Sequence, residues 1–224
     1  MTDPGFKAII FDLDGTLLDS LDELGILCNR VLETNGYHPH PMAAYRIFVG
    51  DGAETLIRRA LGEKATLSVV HKCLEEFLCL YRDECGKYAC LYQDIPELLH
   101  SLHQHGFALA LLSNKPHDLT VKNISLFLPD IPFQVVFGQR DGIPKKPDPH
   151  AVFEILNILG LRPDQCLYLG DTAVDMQTAV SASLYPVGVL WGFRSEKELK
   201  ENGARSLIAR PLELLDLIKS LMAS

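Results

Sequence analysis

Five short apolar runs, each stopping abruptly at a polar loop, limit what this chain can fold into more than any other feature. They are KAIIF (7–11), FALALL (107–112), QVVF (134–137), CLYL (166–169) and YPVGVL (185–190). A continuous apolar run without alternation suits a strand buried on both faces. Helical patterns lie between the runs. Asp94 and Pro96 open one that carries Leu98, Leu99 and Leu102 on one side and ends near His105 and Gly106. Asp148 and Pro149 open a second, AVFEILNILG, which Gly160 closes. Ser195 and Glu198 have capping-box spacing, and Pro211 begins a last leucine-rich helix. Each return from one parallel strand to the next must cross a face of the sheet, so the expectation is an α/β fold, a doubly wound parallel sheet covered on both faces.

Residues 17–91 break this rhythm. They read as helices, at 20–35, 52–61 and 68–81, with no convincing strand, and Asn35-Gly36 stops the first. The expectation is an α/β core domain made of 1–16 and 92–224, with a helical domain, 17–91, inserted just after the first strand.

At 224 residues and 47% hydrophobic content the chain can bury a substantial core as a soluble globular protein. Its net charge of −8, with no compact run of Lys and Arg, argues against a nucleic-acid partner. An acidic chain that handles an anionic substrate needs a local cation. The cysteines at 28, 73, 79, 85, 90 and 166 form no C-x-x-C pair, and read as reduced thiols packing as small apolar residues. The start, MTDPGFKAIIF, shows no leader pattern and no stretch reaches the length of a membrane span, so the expected setting is a reducing cytoplasm without membrane contact.

Four segments at strand exits carry the chemistry, where open parallel sheets form their ligand crevice. FDLDGTLLDS (11–20) places Asp12 and Asp14 one residue apart, a spacing that can aim both carboxylates to one side. Two carboxylates facing a phosphate repel it unless a divalent cation lies between them, and Mg²⁺, which prefers hard oxygen ligands, fits that need. Two turn-capping aspartates are the bland alternative. Gly15 and Thr16 follow, and Gly15 lets backbone amides close around an anion. In LLSNK (111–115), Ser113 and Asn114 offer a hydroxyl and amides to a phosphate, or simply cap a helix. In KKPDP (145–149) one lysine supplies a point charge while the other is a solvated loop residue. LYLGDTAVDM (167–176) brings Asp171 and Asp175, which share a face if the segment begins a helix.

In this order the four segments resemble the motifs of the haloacid dehalogenase superfamily, and the whole chain is similar to its phosphoglycolate phosphatase-like branch with a helical cap. VGDGAETLIRRAL (49–61) and YPVGVLWGF (185–193) extend the likeness, while Ser183 stands where relatives commonly carry Gly. The resemblance implies a magnesium-dependent phosphatase acting on a small phosphorylated metabolite. It implies Asp12 as nucleophile, Asp14 as general acid/base, and Ser113 and Lys146 holding the phosphoryl group. Mg²⁺ falls to the Asp12 carboxylate, the Asp14 carbonyl and Asp171, with Asp175 close by. Arg46, Arg58 and Arg59 are candidates for a substrate carboxylate, against the plainer role of solvated helix arginines. A sugar-phosphate mutase using the same aspartates and a silent binding protein of the same fold are the competing readings. His100, His103 and His105 read as a polar helix face, and the oligomeric state is open.

Overall fold

In the computed structural model residues 5–63 and 65–223 are described; the first four residues of the N-terminal reading lie outside them. The core is a six-stranded parallel sheet of β1 (Ala8–Phe11), β4 (Ala108–Pro116), β5 (Val135–Gln139), β6 (Cys166–Gly170), β7 (Tyr185–Val189) and β8 (Ser206–Ile208). The order is β5-β4-β1-β6-β7-β8. The chain thus moves outward from β1 on one side, then returns to build the other, and the reversal leaves a crevice at the ends of β1 and β6.

Alternation along β1 divides the core. Ile9 and Phe11 face α5 (Ile95–Gln104) and α10 (Glu213–Met222), packing with Leu98, Leu99, Leu102, Leu214 and Ile218. Ala8 and Ile10 face α7 (His150–Leu159) and α8 (Ala173–Ser181), against Val152, Ile155 and Ala179. Ile9, Ile10 and Phe11 are fully buried, and each such side chain contributes ~1.5–3 kcal/mol of transfer free energy.

A second apolar cluster belongs to α1 (Leu21–Thr34), α2 (Met42–Phe48), α3 (Ala53–Leu61) and α4 (Leu67–Glu84), and includes Leu27, Tyr45, Ile57 and Phe77. Leu119, from α6 (His117–Phe127), and Phe193 plug into it from the sheet side, so the insert leans on the core. Its ends are tied together. The two-residue strands β2 (Leu18–Asp19) and β3 (Cys90–Leu91) pair antiparallel, and buried Glu23 accepts hydrogen bonds through Oε1 from the amides of Gly86 at 2.6 Å and Tyr88 at 3.4 Å.

Several local expectations change. Residues 17–91 do contain strand at their borders, too short to show periodicity. The α2, α6 and β8 segments were not read as elements. Asp94 occupies the N-cap position of α5 but in left-handed backbone, φ 64°, with no side-chain cap bond. The last helix begins at Glu213, two residues beyond Pro211. Ser195 does cap the short α9 (Glu196–Glu201) by accepting from the Glu198 amide. Cys28, Cys73 and Cys166 are buried in apolar clusters, whereas Cys79 and Cys90 are exposed; all six thiols are free. His100, His103 and His105 are exposed on or just beyond α5. Among the described residues no helix is long and apolar enough to cross a membrane.

Candidate active site

Sheet register brings the segments together. Phe11 at the end of β1 is level with Leu111 of β4 and Leu169 of β6. Asp12 therefore stands between Leu112 and Gly170, with Ser113 and Asp171 one residue further on. The Asp12 amide continues the ladder to the Leu169 carbonyl at 2.9 Å. Beyond it the chain folds tightly, with the amides of residues 16, 17 and 18 all directed at the Leu13 carbonyl. Leu13 is buried in the apolar core and anchors this loop between the two aspartates.

Asp12, Asp171 and Asp175 each offer a carboxylate oxygen, and these oxygens lie within 4.8 Å of one another in a buried cluster. The Lys146 ammonium sits against it, 2.8 Å from Asp12 Oδ1 and 2.6 Å from Asp175 Oδ1, and also donates to the Tyr168 hydroxyl and the Leu112 carbonyl, each at 3.1 Å. Lys146 is the buried member of the lysine pair and Lys145 the exposed one. Three carboxylates against one ammonium leave an excess of two negative charges out of water, which a divalent cation with hard-ligand preference matches. The carboxyls record the strain of that excess. Burial first, then the charge of Asp175, raises Asp12 from 3.8 to about 7 against the pull of Lys146. Burial, Asp175 and Asp12 hold Asp171 well above the usual carboxylate range.

The cluster is built without side-chain clutter. A Cβ on Gly15 would lie 2.3 Å from Asp171 Oδ2, and one on Gly192 would lie 2.3 Å from Asp171 Cβ and 2.5 Å from the Gly15 carbonyl. Only glycine permits this approach at both places. Asp171 Oδ2 accepts from the Phe193 amide at 2.8 Å, and Asp171 Oδ1 accepts weakly from Thr16 Oγ1 at 3.4 Å. Thr172, the N-cap of α8, donates its amide and hydroxyl to Asp175 Oδ2 at 3.0 and 2.6 Å. The two aspartates do not share a helical face, because Asp171 precedes the helix; they converge because the N-cap turn folds back.

Asp14 diverges from Asp12. Both residues border the same cavity, but beyond the strand end at Phe11 the tight loop gives separate partners to Asp14. Its Oδ1 accepts from Ser20 Oγ and from Lys115 Nζ, both at 2.6 Å, and its carboxylate is outside the three-member cluster. Ser113 is buried and its Oγ accepts from the Lys115 amide at 3.2 Å. Asn114 is a brace: Oδ1 accepts from the Lys146 amide at 2.9 Å, while Nδ2 donates to the carbonyls of Gly50 and Lys146 at 3.3 and 3.2 Å.

A cavity of about 40 Å³ adjoins these groups, lined by Asp12, Asp14, Ser113 and Lys115 below and by Leu24, Val49, Leu56, Phe77 and Tyr81 of the helical insert above. Arg46, Arg58 and Arg59 are engaged elsewhere: Arg46 with the Gly192 carbonyl, Arg58 with Glu54, Arg59 with Asp51. None lines the cavity. Lys115, Tyr168 and Ser20 were missed by sequence reasoning. For Lys115 a signal existed, since it stands two residues beyond Ser113 on a strand that runs to Pro116 rather than stopping at 112.

A parallel sheet with this order and a buried acidic cluster at its central crevice defines a hydrolase of the haloacid dehalogenase-like class, and residues 9–189 match that family. The chain belongs to it, and within it falls among the phosphatases, the phosphoric monoester hydrolases. It is 34% identical to a phosphoglycolate phosphatase of Vibrio cholerae over 204 residues, spanning 84% of this chain and 85% of the relative. It is 33% identical over 192 residues to one of Pseudomonas putida, spanning 84% and 70%. A crystal structure from Lactobacillus delbrueckii subsp. bulgaricus, described provisionally as a phosphoglycolate phosphatase, superimposes with a TM-score of 0.91 at 30% identity over 96% of this chain and 98% of the other.

Proposed function

We propose that the protein is a Mg²⁺-dependent, cytoplasmic phosphatase that hydrolyses a small monoester of the phosphoglycolate type through an aspartyl-phosphate. Residues 1–16 and 92–224 form its catalytic domain and 17–91 its cap. The observation that carries this is the excess of carboxylate over ammonium in the buried Asp12, Asp171, Asp175 and Lys146 cluster.

Asp12 is the nucleophile, attacking phosphorus in line to form an acyl phosphate. Asp14 gives its proton to the departing oxygen, then takes one from the water that attacks the aspartyl-phosphate, so a single group serves both half-reactions. Its position fits the role, since it borders the same cavity as Asp12 but points to different partners. Lys146 and Ser113 hold the phosphoryl oxygens, and the loop amides around Gly15 and Thr16, with Asn114 as the brace for Lys146, keep donors in place before the charge develops. Asp12, Asp171 and the Asp14 carbonyl, with Asp175 nearby, would hold Mg²⁺, whose positive charge would offset the crowded oxygens. The cavity beside Asp12 and Asp14 is walled by Leu24, Val49, Leu56, Phe77 and Tyr81, which is where a small leaving group would lie. Free thiols in the cores accord with a reducing compartment.

Phosphate release from phosphoglycolate in the presence of Mg²⁺ tests the proposal. Chelation should abolish it, and Asp12→Asn, which keeps shape and removes the nucleophile, should lower kcat by at least about a thousandfold. Turnover by that variant near the wild-type rate, or release indifferent to chelation, would sink the mechanism.

A further inference from the structure

Resting on the phosphatase reading above, we infer that Lys115 is the specificity residue for the leaving group, and that it selects esters carrying a carboxylate on the carbon next to the ester oxygen.

The walls contributed by the insert are apolar or aromatic, so an anionic leaving group entering there loses its water and needs a paired cation. Among the described residues Lys115 is the sole basic side chain lining the cavity. Its side chain is 3% exposed, and Nζ lies 4.9 Å from the Tyr81 ring centroid, which holds the ammonium at the junction between sheet and insert. Lys146 does not line the cavity, its ammonium lying on the sheet side against Asp12 and Asp175. Lys145 is exposed and does not line the cavity.

Position narrows the chemistry further. The departing oxygen must meet Asp14 to receive its proton, and the Lys115 ammonium lies 2.6 Å from Asp14 Oδ1. A carboxylate only two bonds from that oxygen falls within reach of the same ammonium, whereas a longer chain carries its acid group away from it. Lys115 already binds a carboxylate, that of Asp14, so the substrate's acid group competes for a donor presented in the right geometry. An uncharged leaving group of the same length gains nothing from it.

The test compares two substrates with leaving groups of equal length, phosphoglycolate and ethyl phosphate, at fixed Mg²⁺. The ratio of their kcat/KM values should favour the acid in the wild type. In Lys115→Met that ratio should fall about tenfold to a hundredfold, the range of one charge-assisted hydrogen bond, mainly through KM for the acid. Lys115→Arg should restore part of it, and Lys145→Met should leave it unchanged. Residual turnover of ethyl phosphate reports that the Lys115→Met variant is folded; if none remains, the active Lys115→Arg variant decides, and an acid preference equal to or above that of the wild type there overturns the inference. An unchanged ratio in Lys115→Met overturns it, as does a wild type that cleaves ethyl phosphate with no preference for the acid, which leaves the phosphatase reading intact. A wild type that cleaves neither removes both.

Discussion

Asp12 and Asp171 are carboxyls held protonated more strongly in the folded chain than in the unfolded one, and the consequence for stability has a definite sign. A carboxyl with a raised folded pKa binds more protons in the native state, so its contribution to stability is lost as pH climbs from the ordinary 3.8 through about 7. The metal-free protein should therefore melt at lower temperature at about pH 8 than at about pH 5.5, and Mg²⁺ should raise the melting temperature more at the higher pH, where the ligands are ionised. Equal increments at both pH values in a thermal scan would contradict this. For the same reason Asp12→Asn, inactive in turnover, should melt ~2–4 °C higher than wild type without metal near neutral pH, a gain of about 1 kcal/mol. Asp12, Asp171 and one lysine of the 145–146 pair were legible as candidates because they stand in short segments at strand exits, and Asp12, Asp171 and Lys146 do converge in the buried cluster. The sequence could not assign Asp14 to Lys115, because that pairing depends on how the six-residue loop between β1 and β2 turns after the strand ends.

Among the elements, α8 shows how a local rule is set aside at a measurable cost. The helix ends in a Schellman motif, with the Leu184 amide donating to the Ala179 carbonyl at 2.9 Å and the Ser183 amide to that of Val180 at 3.0 Å. Ser183 holds the left-handed position at φ 60°, where glycine is free of Cβ strain. Replacing Ser183 by Gly should raise stability by roughly 0.5–1 kcal/mol, the relief of strain exceeding the added freedom of the unfolded chain. Denaturant titration would read this as a higher midpoint at unchanged slope, and a lower midpoint would refute it. The long apolar runs were legible as strands because both faces of the sheet are covered. The β2, β3 and β8 strands were not, since two or three residues carry no periodicity, and α2 and α6 lacked a recognisable cap: their N-cap positions are Pro41 and Pro116, neither with a side-chain cap bond.

At the scale of the whole molecule, the helical insert supplies the cavity's upper wall and the sheet its floor, so both units bound the space that a substrate enters. The Glu23 carboxylate grips the return crossing at Gly86 and Tyr88. Replacing Glu23 by Ala removes the acceptor of two part-buried amides, at about 1 kcal/mol, and should speed hydrogen exchange at Gly86 and Tyr88 while leaving β1 protected. Unaltered exchange at those amides would show that the grip is not limiting. The fold class was readable from apolar runs alternating with helical patterns; the packing of Leu119 and Phe193 with the helices of residues 17–91 was not, because it joins residues far apart in the chain. The β2–β3 pairing sets the outgoing and incoming chains side by side, Leu18 beside Leu91. An insertion whose two ends meet in this way can be lengthened, rebuilt or exchanged for another without respacing a single strand beneath it, so such a scaffold is free to acquire new substrates while its phosphoryl chemistry is inherited untouched.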